Sequence, residues 1–157
     1  MSEAHILIQL TQVKKIYGLP KREVVALSDI TLTIHAGEFV TVMGPSGSGK
    51  STLLHLIGCL DTVTSGEYLF EEVPVQRLGR NRLAEIRNQK IGFVFQTFYL
   101  LPRLTAVANV ALPLVYRGIS SKEQEIAAMA MLEKVGLKDR AYHSPAELSG
   151  GEQQRVA

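Results

Sequence analysis

The stretch Gly44-Pro45-Ser46-Gly47-Ser48-Gly49-Lys50-Ser51 is where residue type and spacing most directly specify chemistry in this 157-residue sequence. It fits the pattern G-x-x-x-x-G-K-[ST]. A polyphosphate needs several donors converging on it, and backbone N–H groups converge only where Cβ atoms are absent. Glycines at 44, 47 and 49 meet that condition. The apolar run after the loop predicts a helix, whose free N-terminal N–H groups and positive dipole end favour an anion. Lys50 can set a point charge between terminal phosphates, and Ser51 offers a hydroxyl to a magnesium ion bridging two of them. The competing reading is a glycine-rich turn that matches by accident. A strand pattern before the loop and a helical one after it favour phosphate binding.

Three other places carry side chains of interest. Tyr17, at the end of the first strand pattern, is either an aromatic that stacks on a base or ordinary edge packing. Gln96 directly follows the apolar run "IGFVF", at the carboxyl end of an expected strand, where ligands of open α/β sheets sit. By itself it reads equally as structural or functional. The third is "LSGGEQ", whose Ser149, Gly150 and Gly151 open a helix and make a second anion-binding arrangement. One nucleotide needs one phosphate loop, so a second suggests a nucleotide held by a partner.

The elements that must position these residues are legible as patterns. "ILIQLTQVKKIY" alternates loosely and "ITLTIHAGEFVTVMG" more clearly, with a turn at Ala36-Gly37. Residues 39–43 and 91–95 are apolar on both faces, so each is expected to be a strand covered on both sides. "SGEYLFEEVPV" predicts a small hairpin and "RNRLAEIRNQ" a short polar helix. From Leu100 the chain reads as helical, through "TAVANVALPLVYRG" and "SSKEQEIAAMAMLEKVG". The latter carries a capping box of Ser120 and Glu123, an expected left-handed C-terminal residue at Gly136, and an apolar face of Ile126, Met129, Leu132 and Val135.

Composition sets outer limits. With 46% apolar and 20% charged residues the chain is an ordinary globular sequence able to form one domain core. A net charge of +2 gives no ground for a nucleic-acid partner. No apolar run is long enough to span a bilayer, and "MSEAHILIQL" has no basic stretch ahead of its apolar residues, so no signal peptide is expected. The lone Cys59 excludes an internal disulfide and reads as a small buried hydrophobe in a reducing compartment, hence a cytoplasmic chain.

In this order, a phosphate loop, a glutamine after a strand and "LSGGEQQRVA" resemble the ATP-binding subunits of ABC transporters, from about Ile6 to Ala157. "GCLDTVTSGEY" and "TFYLLPRLTAVANVALPL" are most similar to the lipoprotein-release and macrolide-export branch. The resemblance implies an α/β P-loop NTPase core with an N-terminal antiparallel β subdomain, together residues 1–99. A helical subdomain over 100–146 and the signature loop with the start of its helix over 147–157 would follow. It further implies that Tyr17 stacks on adenine and that Gly44, Pro45, Ser46, Gly47, Ser48, Gly49, Lys50, Ser51 and Thr52 wrap the phosphates of ATP. Ser51 and Gln96 would serve Mg2+, and Lys50 and Gln96 would act in catalysis. Residues 97–101 would face a transmembrane permease partner. Ser149, Gly150, Gly151 and Gln153 would close over ATP held by a second ATP-binding subunit packed head to tail. The protein would sit peripherally on the inner face of the plasma membrane.

The sequence also departs from that family. An apolar strand ending in an aspartate, the glutamate after it and a later histidine are expected beyond the signature and are not among these residues. His5, His35, His55 and His143 read as structural or solvated. The helix opening at Ser149 has few turns to run, against a natural average of about 11–12 residues, so a longer parent chain is expected. Without those groups and the covering strand, this stretch alone is expected to be poorly stable and not to turn over ATP. A nucleotide-binding module without turnover is the second reading. A P-loop kinase or GTPase is the third, lacking an acceptor site or a guanine motif.

Overall fold

The computed structural model describes residues 5–19 and 22–157, so the leader expectation resting on residues 1–4 lies outside them. The chain divides into two compact units, one ending at Ile91 and the other running Gly92–Ala157. Each has its own apolar core.

The first unit is built on a four-stranded antiparallel sheet in the order β2-β1-β3-β4, with β1 Ile6–Leu19, β2 Arg22–His35, β3 Ser65–Phe70 and β4 Val73–Pro74. The expected hairpin is thus β3–β4. Strand β1 pairs on both sides, with Leu10 opposite Leu32 of β2 and Tyr68 of β3. A bulge interrupts it between Leu10 and Val13, where Gln12 takes φ 50°. One extra residue reverses the parity of a strand. Ile8 and Leu10 point inward before the bulge, and Val13 and Lys15 after it. Gly66 makes room for the bulge. Its φ is +88°, and a Cβ there would stand 2.4 Å from the Gln12 carbonyl oxygen.

Helix α1, Lys50–Ile57, buries Leu53 and Leu56 against this face, and α2, Arg80–Lys90, adds Leu83 and Ile86. Tyr68 is 1% exposed, and its hydroxyl donates to the Ile57 carbonyl at 2.7 Å, tying β3 to the last turn of α1. Cys59 lies buried beside it, as the sequence suggests. Burial pushes its thiol above the ordinary value, so it stays neutral.

In the second unit α3, Ala106–Tyr116, packs on α4, Ser121–Lys134, through small residues, including Ala111 and Ala128 around Leu132. The first amides of a helix lack internal partners. Those of Ala106 and Val107 are satisfied by the His143 and Ala141 carbonyls, both at 2.8 Å. Thr105 caps the same end by accepting from the Ala108 amide. Asn109 fixes the preceding loop: it accepts from the Leu101 amide and donates to the carbonyls of Leu101, Leu104 and Thr105. Helix α5, Gly150–Val156, buries Val156 in this core.

Four expectations need correction. Residues 39–43 and 91–95 are not strands. Phe39, Met43 and Val94 are 94%, 84% and 96% exposed. A strand apolar on both faces forms only with ladder partners and cover; among the described residues these segments have no ladder partner, and only Val42 and Ile91 pack against the core. Instead Phe93 stacks on Phe95 with centroids 5.4 Å apart, and Tyr99 meets Phe95 edge to face at 5.2 Å. The Ser120 box is not reciprocal, because the hydroxyl donates to Glu123 at 2.6 Å and accepts no backbone N–H. Finally, the buried line of α4 is Ala128 and Leu132, with Met129 half-buried. Ile126 is 61% exposed and Val135 38%. Gly136 does take the left-handed conformation, at φ 70°.

Removing the Tyr68 hydroxyl leaves the Ile57 carbonyl without its donor. Tyr68→Phe is expected to cost about 1–3 kcal/mol in a urea unfolding experiment. An unchanged midpoint would show that the bond does not hold α1 to β3.

Candidate functional site

The glycine loop stands at the start of α1. Gly44, Gly47 and Gly49 take φ values of 154°, 79° and 87°. Such a series of turns directs successive N–H groups toward one concavity, which suits an anion. Gly49 is also the N-cap of α1 and lies against β2: a Cβ on it would meet the Ala26 carbonyl oxygen at 2.5 Å and Leu27 Cδ2 at 2.8 Å. Position 49 therefore requires glycine on two counts. No acidic residue lies in the first turn of α1, so nothing there opposes an incoming anion.

Lys50 folds back over the loop. Its ammonium donates to the carbonyls of Gly44 at 2.9 Å and Pro45 at 2.6 Å. Pro45, Ser46, Gly47, Ser48 and Ser51 are exposed, and Thr52 is half-buried. The residues fit a polyphosphate: the backbone forms a tight cradle, in which a Cβ on Gly44 would meet the Ser48 hydroxyl at 2.7 Å, and one cation reaches it. For a magnesium ion the donor set here is the Ser51 hydroxyl. Among the described residues no group of three His, Cys, Asp or Glu side chains could hold a metal by itself.

Tyr17 belongs to the same unit and is 40% exposed. Its hydroxyl donates to Asp61 Oδ2 at 2.7 Å. That hydrogen bond, some burial and the Asp61 charge raise its ionisation above the ordinary value, while a hydrogen bond with Thr52 pulls slightly the other way. The other Asp61 oxygen accepts from the Lys15 ammonium at 2.6 Å and from the Thr62 amide at 2.7 Å. Burial works against the Asp61 charge, but hydrogen bonds from Lys15, Tyr17 and Thr62 outweigh it and hold the carboxyl below its usual range.

In the second unit Gln96 is exposed, directly after residues 91–95. Ser149 is the N-cap of α5 in a reciprocal box: its hydroxyl accepts from the Glu152 amide, and both its amide and hydroxyl donate to Glu152 Oε2 at 2.7 Å. Gly150 and Gly151 are exposed, and a Cβ on Gly150 would meet nothing. Gln153 faces back, its amide donating to the carbonyls of Pro145 at 2.9 Å and Leu148 at 3.0 Å. A second box of the same form, Ser144 with Glu147, precedes it. Sequence reasoning missed both boxes, although the repeated Ser-x-x-Glu spacing was there to read. It also missed Lys15 and Asp61, for which no local signal exists.

Gly49→Ala is expected to destabilise the first unit by about 2–4 kcal/mol in denaturant unfolding, from the left-handed backbone and the close approach to β2. An effect below about 0.5 kcal/mol, the size of an ordinary surface change, would contradict that packing. Glu152 lies below the usual glutamate range because the Ser149 hydroxyl and amide hydrogen-bond its charged form. A depressed carboxyl contributes stability above its unfolded value and loses it as pH falls through the lower folded value. The α5 cap should therefore survive acidification through the ordinary glutamate range. Carboxyl NMR titration checks this, with Ser149→Ala, which removes the hydroxyl and keeps the amide, moving Glu152 part of the way back toward the usual value.

The sequence profile of the ABC transporter family matches residues 27–157. YvrO of Bacillus subtilis, an uncharacterized ABC transporter ATP-binding protein, is 54% identical over 151 residues, which are 96% of this chain and 66% of that protein. The macrolide export ATP-binding/permease protein MacB 2 of Aeromonas hydrophila is 47% identical over 96% of this chain and 23% of its own length. Among solved structures, the dimeric post-hydrolysis state of the ATP-binding cassette MJ0796, bound to ADP and Pi, superposes with a TM-score of 0.86. It is 45% identical, over 96% of this chain and 66% of that one. The chain thus spans about two thirds or less of the length of these relatives. It belongs to the ABC transporter family and corresponds to the N-terminal part of the ATP-binding cassette.

Proposed function

We propose that the protein containing this chain binds Mg·ATP and couples its binding and hydrolysis to export, or to lipoprotein release, through a membrane permease. The observation that carries this reading is the left-handed glycine series at the N-terminus of α1, with the Lys50 ammonium drawn onto the loop carbonyls. That ammonium already reaches the concavity. On binding, it exchanges two carbonyl partners for phosphate oxygens, which are stronger acceptors. The residues from Gly44 to Thr52 hold the phosphates, and Tyr17 provides a face for adenine. Magnesium would neutralise charge between phosphates, with Ser51 and Gln96 as its protein contacts. Lys50 and Gln96 are the proposed catalytic side chains of this chain.

The permease is proposed as a separate chain or a further domain, by analogy with the fused macrolide exporters. Residues 1–99 would form the β subdomain and phosphate core, 100–146 the helical subdomain and 147–157 the signature. Ser149, Gly150, Gly151 and Gln153 are proposed to face ATP held by a second subunit, in keeping with the dimeric MJ0796. The Gln153 amide N–H groups are engaged with Pro145 and Leu148, so in this reading it shapes the loop and offers only its oxygen outward. Attachment to the inner face of the membrane would come through the permease, since no helix among the described residues is long and apolar enough to cross.

For the 157 residues by themselves, binding without turnover is the better-supported reading. The phosphate loop is complete within the first unit, whereas Gln96 is exposed and hydrogen-bonds to none of the described residues. Calorimetric titration with Mg·ATP is the test. Lys50→Ala is expected to weaken binding about ten- to a hundredfold, the loss of a hydrogen bond between charged groups. Equal affinity of the variant and the unaltered chain would overturn the loop assignment.

A further inference from the structure

Lys15 is 7% exposed, and no other charged residue among those described is as deeply buried. It lies inward on β1 only because the bulge at Gln12 reverses the strand's parity. Its ammonium donates to Asp61 Oδ1 at 2.6 Å and to the Thr62 carbonyl at 2.7 Å, and stands 4.8 Å from the centroid of the Tyr17 ring. Asp61 receives three donors: the Lys15 ammonium, the Thr62 amide and, on its second oxygen, the Tyr17 hydroxyl at 2.7 Å. Tyr17 is thereby held at two points, its hydroxyl by a carboxylate and one ring face by a cation.

We infer that Lys15 and Asp61 are positioning residues for Tyr17, fixing the ring as a platform on which a nucleobase stacks. This rests on the reading of Tyr17 as the base-contacting aromatic. A ring hinged only at its Cβ would lose rotational freedom on stacking; one already fixed by its hydroxyl binds without that cost. With the ammonium on one face, a base has the opposite face to stack on, and the cation strengthens the ring's attachment to the protein. Asp61 lies in the turn just beyond α1, whose first turn carries the phosphate loop. One short helix and its flanks thus organise both the phosphate cradle and the base platform.

The test separates base from phosphate recognition by comparing Mg·ATP with magnesium tripolyphosphate on the whole chain by calorimetry. Tyr17→Phe removes only the hydroxyl, and Asp61→Asn keeps an acceptor for Lys15. Each is expected to weaken Mg·ATP binding about five- to tenfold, and the double variant no further than either single one, because both break the same bond. Tripolyphosphate affinity should stay unchanged in all three. A purely structural role would lower both affinities together, and that result overturns the inference. If Tyr17→Ala weakens Mg·ATP binding while Tyr17→Phe and Asp61→Asn do not, the platform reading stands and the positioning role falls. If Tyr17→Ala changes nothing, or the unaltered chain binds no Mg·ATP, the nucleobase reading itself fails and takes the inference with it.

Discussion

An ammonium placed beneath a sheet must be neutralised, and Lys15 is neutralised by Asp61. An isolated buried charge is costly, and breaking such a pair on one side costs more than the pair contributes when whole. The pair therefore constrains the arrangement even where its net contribution to stability is small. It requires the turn after α1 to return to β1, 46 residues away in sequence. Gly49 constrains the other end of the same helix, pressed against Ala26 and Leu27 of β2. Between them Leu53 and Leu56 enter the core. An eight-residue helix is too short to be stable by itself. Held at both ends and along one face, it presents its N-terminus in a fixed place, and the glycine loop takes its shape from that.

The second unit solves a similar problem by capping. Its short helices have many terminal amides and few turns, and the starts of α3 and α5 are each closed by nearby groups. The carbonyls of Ala141 and His143 serve α3, and Ser149 with Glu152 serves α5. The signature residues are thus ordered by local hydrogen bonds within a few residues of each other. Gln153 adds the bonds that fasten the preceding turn. Such an element can keep its shape while what surrounds it changes.

What the sequence revealed follows from the range of the interactions involved. The loop was legible because its requirements are local: glycine where the backbone turns left-handed, a lysine and a hydroxyl next in line. The helices were legible from spacing. Residues 39–43 and 91–95 were read as strands because apolar character on both faces reports a need for cover. It does not report whether neighbours are there to supply it, and among the described residues only Val42 and Ile91 find core to pack on. Lys15 was missed for a geometric reason. Counting by twos from Ile8 and Leu10 turns it outward, and the bulge at Gln12, permitted by Gly66 on another strand, turns it in. Nothing within ten residues of Lys15 announces Asp61.

The packing of α1 on the antiparallel sheet holds the glycine loop in shape before any ligand arrives, and it does so without a strand at residues 39–43 or 91–95. Amide hydrogen exchange of the nucleotide-free chain tests it most directly. The amides of Leu53 and Leu56 are expected to be protected to the level of Leu10 and Val13 in β1, while residues 39–43 exchange at the rate of an open chain. Exchange of Leu53 and Leu56 as fast as that of residues 39–43 would contradict it.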